Sequence, residues 1–142
     1  MALDVTVIAG AVRDRLSPLG AEITYAPEYD LCDLGRGPAV CVVPSGTEFS
    51  LAGRGIVEER ATIDVGFVSK AKPAEAEELV KTVRETARGL LGMKAGEAVC
   101  VKVAHDPLYS AEHLRERGQF TSVVRLTFKW LERQSDGNEL SR

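Results

Sequence analysis

Apolar residues recur along the chain with two periods, one typical of helices and one typical of strands. Near the start the spacing is three or four residues, which predicts a helix over about residues 4–17 with an apolar stripe of Val5, Ile8, Ala9, Val12 and Leu16. A second helix is predicted to begin at Pro73 and to end at Gly89 or Gly92. Proline suits the first position, because the backbone N–H that it lacks is not needed in the first turn of a helix. Its apolar face comprises Ala76, Leu79, Val80, Val83, Ala87, Leu90 and Leu91.

Strict alternation of apolar and polar residues predicts the strands. Two long strands are expected over residues 56–68 and 120–130, and shorter ones around Ile23, over 39–43 ("AVCVV") and over 99–103. Glu59 interrupts the apolar face of the first long strand, so its buried part is expected to begin near Ala61. An acidic loop is predicted between Tyr25 and Pro38, and residues 44–55 are predicted to form a hairpin loop.

The order of these elements predicts an α+β fold. A mainly antiparallel β-sheet with two amphipathic helices packed on one face is the simplest two-layer solution. The other face of the sheet would carry the charged residues Arg60, Asp64, Arg125 and Lys129. Residues 1–131 are expected to form a single domain, and the polar residues 132–142 a flexible tail.

Charge and hydropathy narrow the functional classes. The 18 basic and 21 acidic residues give a net charge of −3, without the basic excess that phosphate neutralisation on duplex DNA demands. No apolar run approaches the roughly 20 residues that span a bilayer. Asp4, Arg13 and Asp14 interrupt the beginning of the chain, unlike a signal peptide, and a cytoplasmic protein is therefore expected.

The cysteines do not indicate a disulfide framework or a zinc site. Cys32, Cys41 and Cys100 are odd in number and widely spaced, without a C-x-x-C pair. Cys41 and Cys100 lie in apolar stretches, where a free cysteine behaves as a small hydrophobic residue.

One segment, residues 103–130, contains both histidines. It has four potential metal ligands, His105, Asp106, Glu112 and His113. A small metal-dependent hydrolase is therefore one functional alternative. Their spacing argues against it, because the two histidines are separated by Pro107 and do not form an H-x-x-x-H pattern. Neither a cofactor motif nor a nucleophile-and-base pattern is present in the sequence.

The same segment has the composition of a protein-contact loop. "SAEHLRERG" predicts one or two helical turns with Ser110 as the N-cap and Gly118 as the stop. Loops of this length in compact domains are usually functional or disordered, and tyrosine and arginine are enriched at interfaces. An ordinary surface loop, held to the core by Leu108 and Leu114, is the alternative.

Several stretches together resemble the tail-terminator or tail-completion proteins of tailed bacteriophages and prophages. They are the early helix, "YAPEYDLCDL", "VCVVPSG", "IDVGFVSKA" with the helix after it, and "VKVAHDPLYSAEHLRERGQFTSVVRLTFK", of which "FTSVVRLTF" is the most similar part. The resemblance covers about residues 3–131 and consists of element order and soft motifs, without a catalytic signature.

The resemblance implies a non-enzymatic virion protein without a cofactor, assembled in the bacterial cytoplasm. Such subunits form a homo-oligomeric ring, commonly a hexamer, which caps the tail tube, ends its polymerisation and binds the neck or head connector. DNA passes through the lumen, and no membrane is involved. A head-closure or other neck protein is the alternative within virion assembly.

The resemblance transfers no individual functional residue, so interface candidates come from the loops. From the segment 105–119 they are Tyr109, His113, Arg115 and Arg117, and from the segment 44–55 they are Glu48 and Arg54. A ring whose contacts are heterologous needs two different complementary patches on each subunit.

Overall fold

The structure, a computed structural model, describes residues 3–25 and 39–133. Its helices are α1 (Val5–Arg15), α2 (Ala76–Leu90) and α3 (Ala111–Arg117). Its strands are β1 (Glu22–Ile23), β2 (Ala39–Gly53), β3 (Ile56–Lys70), β4 (Lys94–Ala95), β5 (Ala98–His105) and β6 (Gln119–Arg133). The predicted acidic loop, with Cys32, and most of the predicted tail lie outside the described residues.

The six strands form one sheet in the order β1-β2-β3-β6-β5-β4. The short β1 pairs parallel with β2, and every other pairing is antiparallel. The predicted α+β fold with a mainly antiparallel sheet is therefore confirmed.

The core lies between the sheet and the two long helices. β3 and β6 place Ile63 opposite Leu126 and Ala61 opposite Phe128, and all four side chains are fully buried. From the helices, Val12 of α1 and the apolar positions of α2 pack against this face. Both helices thus cover one face of the sheet, as the sequence predicts.

Each long helix follows its predicted apolar stripe. Asp4 caps α1, since its carboxylate accepts hydrogen bonds from the backbone N–H groups of Thr6 and Val7 at 2.9 and 3.0 Å. On α2 the prediction is wrong at Leu91, which is 53% exposed because the helix ends at Leu90 and the chain turns away at Gly92.

The prediction that residues 44–55 form a loop is wrong. β2 continues through Pro44 to Gly53, and only Arg54 and Gly55 make the turn into β3. The pairing with β3 shifts between Pro44 and Gly46, which is a β-bulge. Pro44 lies beyond the two residues of β2 that pair with β1. A bulge at such a position accommodates a residue that has no N–H, so the proline does not end the strand.

The predicted boundary of the C-terminal tail is also displaced. β6 includes Glu132 and Arg133, which pair with Val57 and Ile56 of β3. Residues 134–142 lie outside the described residues.

The face of the sheet opposite α1 and α2 carries the charges that the alternation predicts. Arg125 contacts Asp64 at 3.0 Å, and Lys129 contacts Glu58 at 3.3 Å. Arg60 contacts the same glutamate at 2.8 Å, so both cations hold the pKa of Glu58 below its usual value. The pairs made by Arg125 and Lys129 join β3 to β6, the Arg60 pair lies within β3, and all of them leave the face hydrophilic.

We expect Phe128→Ala to lower the free energy of unfolding by about 3–5 kcal/mol, because it leaves a cavity in the middle of the core. Leu131→Ala, on the same strand but 51% exposed, is expected to change it by about 0.5 kcal/mol or less. Urea denaturation of the two variants measures the difference, and equal losses would contradict the described core.

Candidate assembly interface

The segment that follows β5 forms the short helix that the sequence predicts. The Ser110 hydroxyl accepts a hydrogen bond from the backbone N–H of His113 at 3.2 Å, and Gly118, with φ of 60°, ends α3. Leu114 is 7% exposed and packs into the core. Leu108 is 39% exposed, so Leu114 holds the segment to the core and Leu108 does not.

Backbone hydrogen bonds fix the position of this segment against β6. The N–H of Asp106 donates to the Val123 carbonyl at 2.8 Å, and the N–H of Ser110 donates to the Thr121 carbonyl at 2.9 Å. The His113 ring also contacts the Thr121 hydroxyl at 3.0 Å. The segment is therefore an ordered continuation of the sheet beyond the end of β5.

The outer side of the segment presents three of the predicted interface residues. Tyr109 is 42% exposed, and Arg115 and Arg117 are exposed on α3. His113 is half-buried, because its ring lies against β6. We call residues 108–117 the α3 surface.

The four residues of the metal hypothesis do not come together. His105 lies on the helix-covered side of the sheet, opposite Val124, whereas Asp106 contacts Arg125 at 3.5 Å. Burial, with a smaller effect of Arg84, lowers the pKa of His105. In residues 3–25 and 39–133 no group of three or more His, Cys, Asp or Glu side chains could hold a metal ion.

The other two predicted interface residues lie on a projection at the opposite end of the sheet. The paired ends of β2, β3 and β6, residues 47–58 and 131–133, extend past the helix-covered core, and we call them the arm. Glu48 is exposed on β2, and Arg54 is exposed at the turn. The arm and the α3 surface lie near opposite ends of β6, roughly 45 Å apart at 3.4 Å per residue.

The arm exposes apolar side chains that sequence reasoning missed. Phe49 and Leu51 are 64% and 75% exposed on the core side of the sheet. Ile56 and Leu131, on the other side, are 39% and 51% exposed. The available signal was the alternation in "TEFSL" before a glycine-flanked turn, which is typical of a hairpin strand.

A buried carboxyl group lies at the base of the arm. Glu59 is 7% exposed, lies between Phe49 and Trp130 across the sheet, and accepts a hydrogen bond from the Thr47 hydroxyl at 3.0 Å. Burial raises the pKa of Glu59, with a smaller contribution from the nearby carboxylates of Glu132 and Asp4. The alternation predicted the direction in which Glu59 points, but not its burial.

Comparisons with known proteins extend the description of the fold. A solved protein structure is similar to this chain over 91% of this chain and 96% of that one, with a TM-score of 0.52 and 14% sequence identity. At this identity the likeness shows the fold alone. No protein-family profile and no curated protein sequence matches the chain. Among the described residues, no helix is both long and apolar enough to cross a bilayer.

We expect Glu59→Gln to stabilise the protein at neutral pH. A carboxyl whose pKa is raised in the folded state contributes stability below its unfolded pKa, near 4.3, which is lost as the pH rises through the folded pKa. Glutamine keeps an oxygen for Thr47 and has no charge to bury. The urea midpoint of the variant should therefore exceed that of the wild type at pH 7 and approach it in acid.

Glu58→Gln is the matched control, because Arg60 and Lys129 lower the pKa of Glu58. Its effect should have the opposite sign, with a loss of stability at pH 7 that disappears in acid. If both variants shift the midpoint in the same direction at pH 7, the described environment of Glu59 is wrong.

Proposed function

We propose that the protein is a structural virion protein of tailed bacteriophages that forms a ring on the tail tube, ends tube polymerisation and binds the neck. The observation that carries the proposal is the arm, with Phe49 and Leu51 exposed on a strand pair beyond the core. Neighbouring apolar side chains that are exposed on one face are typical of protein-contact surfaces. The phage-specific part rests on the sequence resemblance over residues 3–131.

Two contact surfaces at opposite ends of one sheet suit a subunit that has both lateral and axial neighbours. Lateral contacts between different patches can close a ring when the rotation between subunits allows it, and axial contacts set what the ring binds above and below. In the proposal the arm contributes to lateral contacts and the α3 surface to an axial one. This mechanism is steric and cohesive, because a ring that offers the tube interface on one side only prevents the next tube ring from adding.

The charges of the molecule agree with a ring around DNA that does not bind it. The net charge is −3. On the charged sheet face, Arg125 pairs with Asp64, and both Arg60 and Lys129 pair with Glu58. Sequence-independent DNA binding requires unpaired cations facing the phosphates.

Deletion of the gene from the phage or prophage that encodes the chain tests the proposal. We expect tails of irregular, excessive length and no head attachment, because tube growth is no longer stopped, and expression of the wild-type protein from a plasmid should restore both. Electron microscopy of the lysates measures tail length. Tails of normal length that lack heads would instead support the neck-protein alternative, and normal virions would contradict both.

We expect Tyr109→Ala combined with Arg115→Ala to leave folding intact while weakening assembly on the tail, because both side chains are exposed on the α3 surface. Loss of two interface anchors costs about 2 kcal/mol or more, at least a thirtyfold loss in affinity. Plasmid rescue of the deletion and the Tm of the purified variant are the measurements.

Tyr25→Ala combined with Arg13→Ala removes the same residue types from exposed positions elsewhere and should rescue normally. A fall in Tm in the α3-surface variant would show that this surface is structural, and full rescue by it would exclude the surface from assembly.

A further inference from the structure

An apolar cleft of about 380 Å³ opens at the end of the helix-covered layer that lies away from the arm. The sheet contributes Val40, Phe67 and Phe120 to it, and α2 contributes Leu79 and Val83. The cleft falls within the range of roughly 300–1,000 Å³ that protein sites use to enclose apolar groups.

The arm and the cleft are complementary, but they cannot meet within one subunit. Phe49 lies opposite Glu59 on β3, whereas the cleft is lined by Phe67 further along the same strand. The separation is about 27 Å at roughly 3.4 Å per residue, and the paired strands between them are held by β6. One end of the layer therefore has sheet without helix cover, and the other end has an open space between sheet and helix.

We infer that the arm of a second copy of this chain seats Phe49 and Leu51 in the cleft. The contact joins the uncovered sheet of one subunit to the apolar cleft of the next, so both exposed side chains leave water. This inference rests on the proposed function only in taking the occupant to be another subunit of the ring.

Charge complementarity supports a second copy as the occupant. Arg54, at the tip of the arm, makes no ion pair with residues 3–25 or 39–133. Thr82 of α2 lines the cleft. Glu78 lies four residues before Thr82 and Glu85 three residues after it, so all three side chains share one side of the helix. Both glutamates are exposed. The ion pair between Lys81 and Glu78 is long, with 3.8 Å between Nζ and Oε1. The tip of an inserted arm would meet this acidic flank.

The composition of the arm also suits a subunit interface, because the centre of such an interface is apolar and its rim is polar. Phe49 and Leu51 form the apolar centre, and the rest of the arm, exposed from Glu48 to Arg54, forms the surround. Because arm and cleft are different patches, each subunit can make one contact of each kind, as a ring requires.

Native mass spectrometry and sedimentation of four purified full-length variants test the inference. The arm variant is Phe49→Asp with Leu51→Asp, and the cleft variant is Thr82→Trp with Thr86→Trp, which fills the space from exposed and half-buried positions. Each should weaken self-association by roughly a hundredfold or more relative to the wild type. The controls, Leu91→Asp and Glu77→Trp, repeat each kind of change outside the arm and cleft and should associate normally.

A mixture of the arm variant and the cleft variant gives the decisive result. The first retains an intact cleft and the second an intact arm, so the mixture should form a one-to-one dimer that does not grow further. Arg54→Glu should weaken the wild-type assembly roughly tenfold, and adding Glu85→Lys in the same chain should restore part of it.

Four outcomes would overturn the arm-and-cleft contact: a wild-type protein that stays monomeric up to its solubility limit, arm and cleft variants that assemble normally, control variants that lose assembly as well, or a mixture that remains monomeric. The tail-length phenotype of the deletion is scored separately. Failure of the arm contact with irregular tails would leave the proposed function standing, and normal tails with an intact arm contact would leave a self-assembling protein of another role.

Discussion

The uninterrupted pairing of β3 with β6 is the constraint on which the rest of the molecule depends. All fifteen residues of β3 pair in sequence, from Ile56 with Arg133 to Lys70 with Gln119, without a bulge. Since side chains alternate across a strand, this one register decides which side chains lie under the helices and which form the charged face. A shift of β6 by one residue against β3 would turn Arg125 toward the helices and Leu126 away from them.

The length of this pairing also creates the arm. A strand of fifteen residues spans about 50 Å, whereas the fifteen residues of α2 and the eleven of α1 span only about 22 Å and 16 Å. Helices of these lengths leave part of the sheet face uncovered. The uncovered part begins where Glu59 and Trp130 are still buried and ends at Arg54, so the arm follows from the geometry of the elements and does not need a separate fold.

Residue periodicity predicted those features that depend on neighbours in sequence: the stripes of α1 and α2, the faces of β3 and β6, and the Ser110 and Gly118 ends of α3. It failed at Pro44, because a proline followed by serine and glycine normally ends a strand, whereas the unbroken β3–β6 pair lets β2 continue through a bulge. Only part of the candidate site was predicted, because periodicity depends on neighbours in sequence alone. Tyr109 and Arg115 belong to one local segment, but the exposure of Phe49 and the burial of Glu59 depend on how far the helices reach along the sheet.

An exposed apolar arm with an open strand edge would ordinarily favour aggregation, and the sequence of β2 limits that outcome. The bulge after Pro44, the glycines at 46 and 53 and the exposed charge of Glu48 all disfavour continuous edge-to-edge pairing with another sheet. Contact through side chains is then favoured over contact through backbone. When two different patches meet through side chains, the contact fixes the rotation that relates one subunit to the next. This rotation decides whether the subunits form a closed ring or an open filament. In this chain the twist of the sheet between Phe49 and Phe67 would set much of that rotation, so the same β3–β6 pairing that shapes the subunit would also shape its assembly.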